Sequence, residues 1–461
     1  MLSDGSSCNK SADSRETDSW FTSSPWGTLG ADVPNRNMVV APRHASAAVL
    51  AAGGAITIGI FVWRRWQRRC AASLLWLPAG RRYLFHDLVF WKGKESGVCF
   101  ADIAAEVDTI VLGPHAGAAF PAELKPYVSP RLTRRKQCDF SDVATDPLGR
   151  AWAATDARVV FIACPHSRAV LDANRAHSDA SFDDELRECF RRLRQMRAGE
   201  VGVSLAGVDA IRPCTFSLED VWLEPQTENE WRALLRAFRD AFALAVGPYE
   251  AAVDRVLNSV LQARGSDARP LTVIGLHDTN DFKMRSDGAL VVPRSPHERL
   301  PTLVNFGNRG DESGNVPAEE SDVAPLLMTG GEMRRLASAW SKAFDADQMF
   351  GSGRIQDFLR PAVHAHEEPI SFNRPYKGGY EVARVARRLR QAALDGGLDA
   401  SGRASLNSVQ VEFNRKVLLG PAAAAEICEP GGGWPAVDEA HVRWLASRLT
   451  RGMEIFRAGA G

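Results

Sequence analysis

Two histidines in this chain each stand where a run of aliphatic residues ends. His115 follows Thr109-Ile110-Val111-Leu112 and sits in Gly113-Pro114-His115-Ala116-Gly117, while His277 closes Leu271-Thr272-Val273-Ile274-Gly275-Leu276. Runs of this kind read as strands buried on both faces, and the Gly and Pro residues after Leu112 turn the chain off the sheet. Open α/β sheets bind ligands and metals beyond the carboxyl ends of their strands. Two imidazoles and one carboxylate, with a fourth position left to water, make a catalytic zinc arrangement. Asp142 and Asp146, one helical turn apart, both offer the carboxylate, and Glu123 is a further candidate. Asp142 is equally suited to capping a helix. Glu412 lies near the exit of the alternating stretch Val409-Gln410-Val411-Glu412-Phe413. It serves there either as a general base toward water at the metal or as a surface residue of an edge strand.

Cationic residues surround this set. Arg168 and Arg175 fall in Ser167-Arg168-Ala169-Val170-Leu171-Asp172-Ala173-Asn174-Arg175, just past an apolar run at 158–164. Guanidinium groups take carboxylates bidentately, so the pair suits a substrate with free carboxylates, with salt bridges to Asp172 or Asp179 as the competing role. Asn373-Arg374-Pro375-Tyr376-Lys377-Gly378-Gly379-Tyr380 precedes a helical pattern. Paired glycines at a helix start bring backbone N–H groups and the helix dipole toward an anion. The spacing, and the lack of a Ser or Thr after Lys377, exclude a P-loop.

Positioning these residues requires alternating strands and helices. Extended segments are expected at 83–91, 109–112, 158–164, 271–276 and 408–413. Helical spacing covers 182–197, 229–263 with a break at Gly247-Pro248, 331–344, 379–394 and 438–456. Residues 305–322, rich in Gly, Asn and acids, read as a long surface loop. The pattern predicts one α/β domain over residues 74–461, a three-layer arrangement with helices on both faces of the sheet.

The chain is 45% hydrophobic and 24% charged with a formal net charge of zero, which excludes a general affinity for nucleic acid. Its eight cysteines are scattered without a CxxC pair, as expected of reduced thiols rather than a disulfide framework or zinc ribbon. Residues 1–44, rich in Ser, Asp, Asn and Gly, are expected to be disordered. Residues 45–63 carry no charge and are followed by a basic segment, 64–73, with Arg64, Arg65, Arg68 and Arg69. This predicts a single transmembrane helix, with the positive flank placing the large downstream body in the cytosol.

Taken together, Pro114-His115-Ala116-Gly117 with Pro121, residues 142–148, Ser167-Arg168 through Asp172, Asn174 and Arg175, His277, Asn373 with Lys377-Gly378-Gly379-Tyr380, and Gln410 with Glu412 resemble the N-formylglutamate amidohydrolase family. The resemblance runs from about Ile110 to Arg415. It implies a fold similar to zinc-dependent exopeptidases and hydrolysis of the N-formyl amide of an acidic amino acid, such as N-formyl-L-glutamate, to glutamate and formate. By position it implies zinc held by His115, Asp142 and His277, Glu412 as the catalytic base, and Arg168, Arg175, Asn373 and Lys377 on substrate carboxylates or the oxyanion. Two positions depart from the family pattern. Ala144 replaces a His, and Gly275 replaces the Asp two residues before His277, a group of the kind that orients a ligand. Hydrolysis of another N-acyl amino acid or small peptide, or a membrane-anchored binding module that has lost catalysis, are the alternative readings.

Overall fold

The aliphatic runs form the middle of one seven-stranded sheet. The computed structural model describes residues 73–176, 182–265, 269–315, 327–344, 369–395 and 406–459. The sheet strands, in chain order, are β1 (Val89–Phe90), β2 (Thr109–Gly113), β3 (Val159–Ala163), β4 (Leu271–Thr279), β5 (Val304–Gly307), β6 (Ile370–Phe372) and β7 (Leu406–Asn414). Their order across the sheet is β6-β5-β7-β4-β2-β3-β1. The four central strands β7, β4, β2 and β3 are mutually parallel, and β1 and β5 join them antiparallel. Every residue of β2 and β3 is buried, as strands covered on both faces require.

Side-chain alternation sorts the core into two layers. On one face Val111, Phe161, Ile274, Val411 and Phe413 meet helices α1 (Thr145–Thr155), α5 (Gly330–Ala343) and α7 (Glu439–Ala458). On the other, Ile110, Leu112, Val160 and Val273 meet α4 (Gly247–Arg264) and α6 (Tyr380–Asp395). Trp340 of α5 anchors the first layer, fully buried and stacked on Phe413 at a centroid distance of 5.7 Å. Such a pair contributes roughly 0.5–1.5 kcal/mol beyond its buried area. Helices α2 (Phe182–Arg197) and α3 (Glu228–Ala241) form a third cluster with Phe120, Val170 and Trp222. The expected three-layer α/β class is the observed one.

Several local expectations are revised. Most of 83–91 is not strand, because Phe85–Leu88 forms a helical turn and only Val89–Phe90 pairs with β3. The expected loop at 305–322 begins inside strand β5, where Asn305 is fully buried. Thr145–Thr155 forms helix α1. Among the described residues, Cys138, Cys164, Cys189, Cys214 and Cys428 are free thiols.

The expected disordered segment 1–44, the expected membrane span 45–63 and most of the basic segment lie outside the described residues. Among the described residues no helix is long and apolar enough to cross a membrane. The assignment as a single-pass membrane protein with a cytosolic body is corrected accordingly. The run behind it is rich in Ala and Gly, which contribute far less to insertion than Leu, Ile, Phe or Val.

Candidate functional site

The parallel central strands end on one side of the sheet, and a cavity of about 260 Å³ opens there. Register sets its floor. Glu412 of β7 lies directly beside His277 of β4, and Gln410 beside Gly275. Because side chains alternate, the residues at 410 and 412 share one face while Val409, Val411 and Phe413 point into the opposite layer. The alternation in this stretch thus marks an interior strand with a polar pocket on one face.

His115 enters from the turn after β2. That turn packs tightly: a Cβ at Gly117 would lie 2.3 Å from the Pro165 carbonyl, so only glycine fits there. The Asp142 backbone N–H donates to the His115 carbonyl at 2.9 Å, which brings the two side chains together. Asp142 Oδ2 lies 3.1 Å from His115 Nδ1 and 2.9 Å from His277 Nδ1, and the two Nδ1 atoms are 3.2 Å apart. All three residues are at least nine-tenths buried, and one donor atom from each falls within 4.8 Å of the others. Facing ring nitrogens repel unless a proton or a cation lies between them, and a carboxylate oxygen at the same point favours the cation. This donor set fits a divalent metal. Asp142 does not cap α1, whose cap residue is Ala144 and makes no side-chain bond. Asp146 turns away to Arg150 at 2.8 Å, and Glu123 accepts from the Gly80 N–H at 2.5 Å.

Asp172, which the sequence offers as a salt-bridge partner for the arginines and as part of the family pattern, holds the far side of His115. His115 Nε2 lies 2.6 Å from Asp172 Oδ1, which also accepts the Asn174 N–H at 2.9 Å. Arg168 donates Nε and Nη2 to Asp172 Oδ2 at 3.1 and 2.5 Å. Burial pushes the Asp172 carboxyl up, yet Arg168 and His115 hold it well below the usual carboxylate range. An ionised Asp172 fixes the proton on Nε2 and leaves Nδ1 directed at the cluster. Arg168 is thus linked to His115 through Asp172. Asp172→Asn should weaken metal affinity about 10–100-fold with the fold intact, measured by competition with a chromogenic chelator; unchanged affinity would remove this role.

Among the described residues no carboxylate backs His277 as Asp172 backs His115. At Gly275, where the family pattern has Asp, a Cβ would sit 2.7 Å from Val382 Cγ1 of α6, so that space is already taken. Asp278 does not replace it, because its carboxylate is bound by Arg415 Nε. Burial, together with the charges of Asp142 and Glu412 and against the pull of Arg415, raises the Asp278 carboxyl to about 7. Arg415, which the sequence did not single out, is only 3% exposed and also donates Nη1 to Asp139 at 2.8 Å. Its Nη2 lies 3.8 Å from Asp142 Oδ1, the oxygen turned away from the histidines.

Glu412 is 5% exposed and lines the pocket. Oε1 accepts from Gln410 Nε2 at 2.9 Å and Oε2 from Thr279 Oγ1 at 3.1 Å. Burial raises its carboxyl above the ordinary glutamate value, against the pull of His277 and His115. Lys377 and Arg175 are on the pocket wall, Arg175 also pairing with Asp209 at 3.2 Å. Asn373 is not on that wall. Its amide bonds Asn308 Oδ1 at 2.8 Å and the Asp311 carbonyl at 2.7 Å, tying the end of β6 to the loop after β5.

No curated protein matches the chain. Among solved structures, N-formylglutamate amidohydrolase from Ralstonia eutropha JMP134 aligns at 17% identity, covering 77% of this chain and 95% of that one with a TM-score of 0.42. A gene product of Agrobacterium tumefaciens aligns at 15% identity, covering 77% and 92% of the two chains with a TM-score of 0.37. The family model for N-formylglutamate amidohydrolase matches residues 107–324. That stretch contains His115, Asp142, Asp172 and His277. Over that stretch the chain resembles the N-formylglutamate amidohydrolase family, hydrolases acting on a linear amide bond.

Proposed function

We propose that this hydrolase is metal-dependent, with zinc held by His115, Asp142 and His277, and that it cleaves the N-formyl amide of an acidic amino acid such as N-formyl-L-glutamate. The observation that carries the reading is the convergence of three buried metal-ligating groups within 4.8 Å, beside a buried glutamate on the neighbouring strand. Two imidazoles and one carboxylate match zinc better than magnesium or calcium, which prefer all-oxygen sites. Bound there, the ion would polarise the amide carbonyl and acidify a water molecule.

The chain's own residues do the rest. Glu412 takes the proton of the attacking water as the water oxygen bonds to the formyl carbon. It then delivers that proton to the departing nitrogen as the C–N bond breaks, giving formate and a free amino acid. Gln410 and Thr279 each hold one oxygen of Glu412, so the carboxylate is aimed before substrate arrives. Lys377 and the backbone at Gly378-Gly379, next to the start of α6, face the pocket with positive potential for an anionic substrate or the developing oxyanion.

The test is metal content of the full chain, measured alongside formate release from N-formyl-L-glutamate. About one zinc per chain and release abolished by a chelator are expected. Zinc without formate release would reject the formyl substrate and direct the assay to other N-acyl amino acids. A chain that takes up no zinc would reject the metal mechanism and favour the binding-module reading.

A further inference from the structure

Four arginines reach the pocket wall, and three are already committed to carboxylates. Arg168 spends Nε and Nη2 on Asp172. Arg415 is held by Asp278 and Asp139. Arg175 gives Nε to Asp209 at 3.2 Å and Nη1 to the Asn174 carbonyl at 3.2 Å. Recruiting Arg168 to a ligand would release a buried carboxylate that orients His115.

Arg294 differs from all three. It follows a hairpin of two short strands, Phe282–Met284 and Leu290–Pro293. Its backbone N–H donates to the Asp281 carbonyl at 2.9 Å, and Arg299 Nε donates to its carbonyl at 2.8 Å. Its own Nε donates to the Asn280 carbonyl at 2.7 Å. Among the described residues its two Nη groups meet no acceptor. The guanidinium is therefore pinned at its base while the outer edge, the one that grips a carboxylate with two parallel bonds, stays available. Its charge reaches both Asp139 and Tyr376 of the pocket.

Phe216 completes the arrangement. It lines the pocket yet is 44% exposed, an unusual position for a phenylalanine. The Arg294 guanidinium lies 6.0 Å from its ring centroid, with Arg168 at 5.7 Å and Arg212 at 5.6 Å. An aromatic face among guanidiniums steadies them without using their hydrogen bonds.

We infer that Arg294 is the specificity residue of this pocket, binding the side-chain carboxylate of an N-acylated acidic amino acid against the Phe216 ring. The inference rests on the amidase reading above and adds to it the residue that separates acidic from neutral substrates. The experiment compares the full-length protein with Arg294→Met and Arg294→Lys on N-formyl-L-glutamate and its neutral counterpart N-formyl-L-glutamine. Arg294→Met should raise KM for the acidic substrate about 10–100-fold with little change in kcat, as expected for a lost charged hydrogen-bond pair. Both constants for the neutral substrate should hold. Arg294→Lys should recover only part of the loss, because an ammonium cannot offer the planar fork. A preference for the acidic substrate that survives in Arg294→Met, or an equal loss on both substrates, overturns the inference. If the unaltered protein cleaves neither, the amidase reading fails, and Arg294 is then judged by calorimetric titration with glutarate. Weaker glutarate binding in Arg294→Met sustains the role. Equal binding, or none to the unaltered protein, ends it.

Discussion

Glu412→Gln should lower kcat about 10²–10⁴-fold, the usual worth of a positioned general base, while zinc content stays that of the unaltered protein. The amide keeps the size of the side chain and its acceptor toward Thr279 Oγ1, now 3.1 Å from Oε2, but it cannot take a proton. Glu412 is not among the three residues grouped so that they could hold a metal, so a loss of metal would show that the residue is a ligand. Unchanged turnover would show that it is neither ligand nor base. The pH dependence supplies a second, independent reading. Only the ionised carboxylate accepts a proton, and burial raises the Glu412 carboxyl above the ordinary glutamate value. The rate should therefore be full above that raised pKa and fall as pH drops through it. The residual rate of Glu412→Gln should lack this acid limb. A limb that persists unchanged in the variant would belong to another group.

The sequence disclosed those parts of the site that sit where regular patterns end. Buried strands announce themselves by β-branched and aliphatic runs, so the positions of His115 and His277 at strand exits were legible. The alternation around Glu412 was visible too, but not whether β7 was an edge strand, since that depends on β5 pairing along its other edge. Strand β5 escaped notice because Asn305 and Gly307 carry the composition of a loop. The partners that complete the site were hidden for a similar reason. Asp172 and Arg168, four residues apart, form the salt bridge that proximity suggests, but the second oxygen of Asp172 belongs to His115, fifty-seven positions away. Arg415 and Arg294 carry no local signal of their role. One lies where β7 runs into a short helix, the other after a surface hairpin, and only the folded chain puts them on the same pocket wall. Asn373 illustrates the converse. The family resemblance implied a ligand contact for it, whereas its side chain joins two segments of the chain.

Asp142→Asn should abolish tight zinc binding and, with it, amide hydrolysis. Asp142 Oδ2 is the point at which both histidines meet, at 3.1 and 2.9 Å, and it is the single negative charge among the three grouped residues. Burial works against that charge, but His115 and His277 keep the carboxyl far below the usual range. An amide in its place leaves two neutral imidazoles to bind a doubly charged ion, and it can turn an NH₂ group toward their ring nitrogens in competition with the metal. The substitution is nearly isosteric, and Arg415 retains Asp278 and Asp139 as partners, so the chain should still fold. Circular dichroism unchanged from the parent, together with loss of zinc and of formate release, is the expected combination. Retained stoichiometric zinc would move the third ligand elsewhere. Loss of zinc with retained hydrolysis would break the link between metal and catalysis, and would leave Glu412 acting on a water that no metal activates.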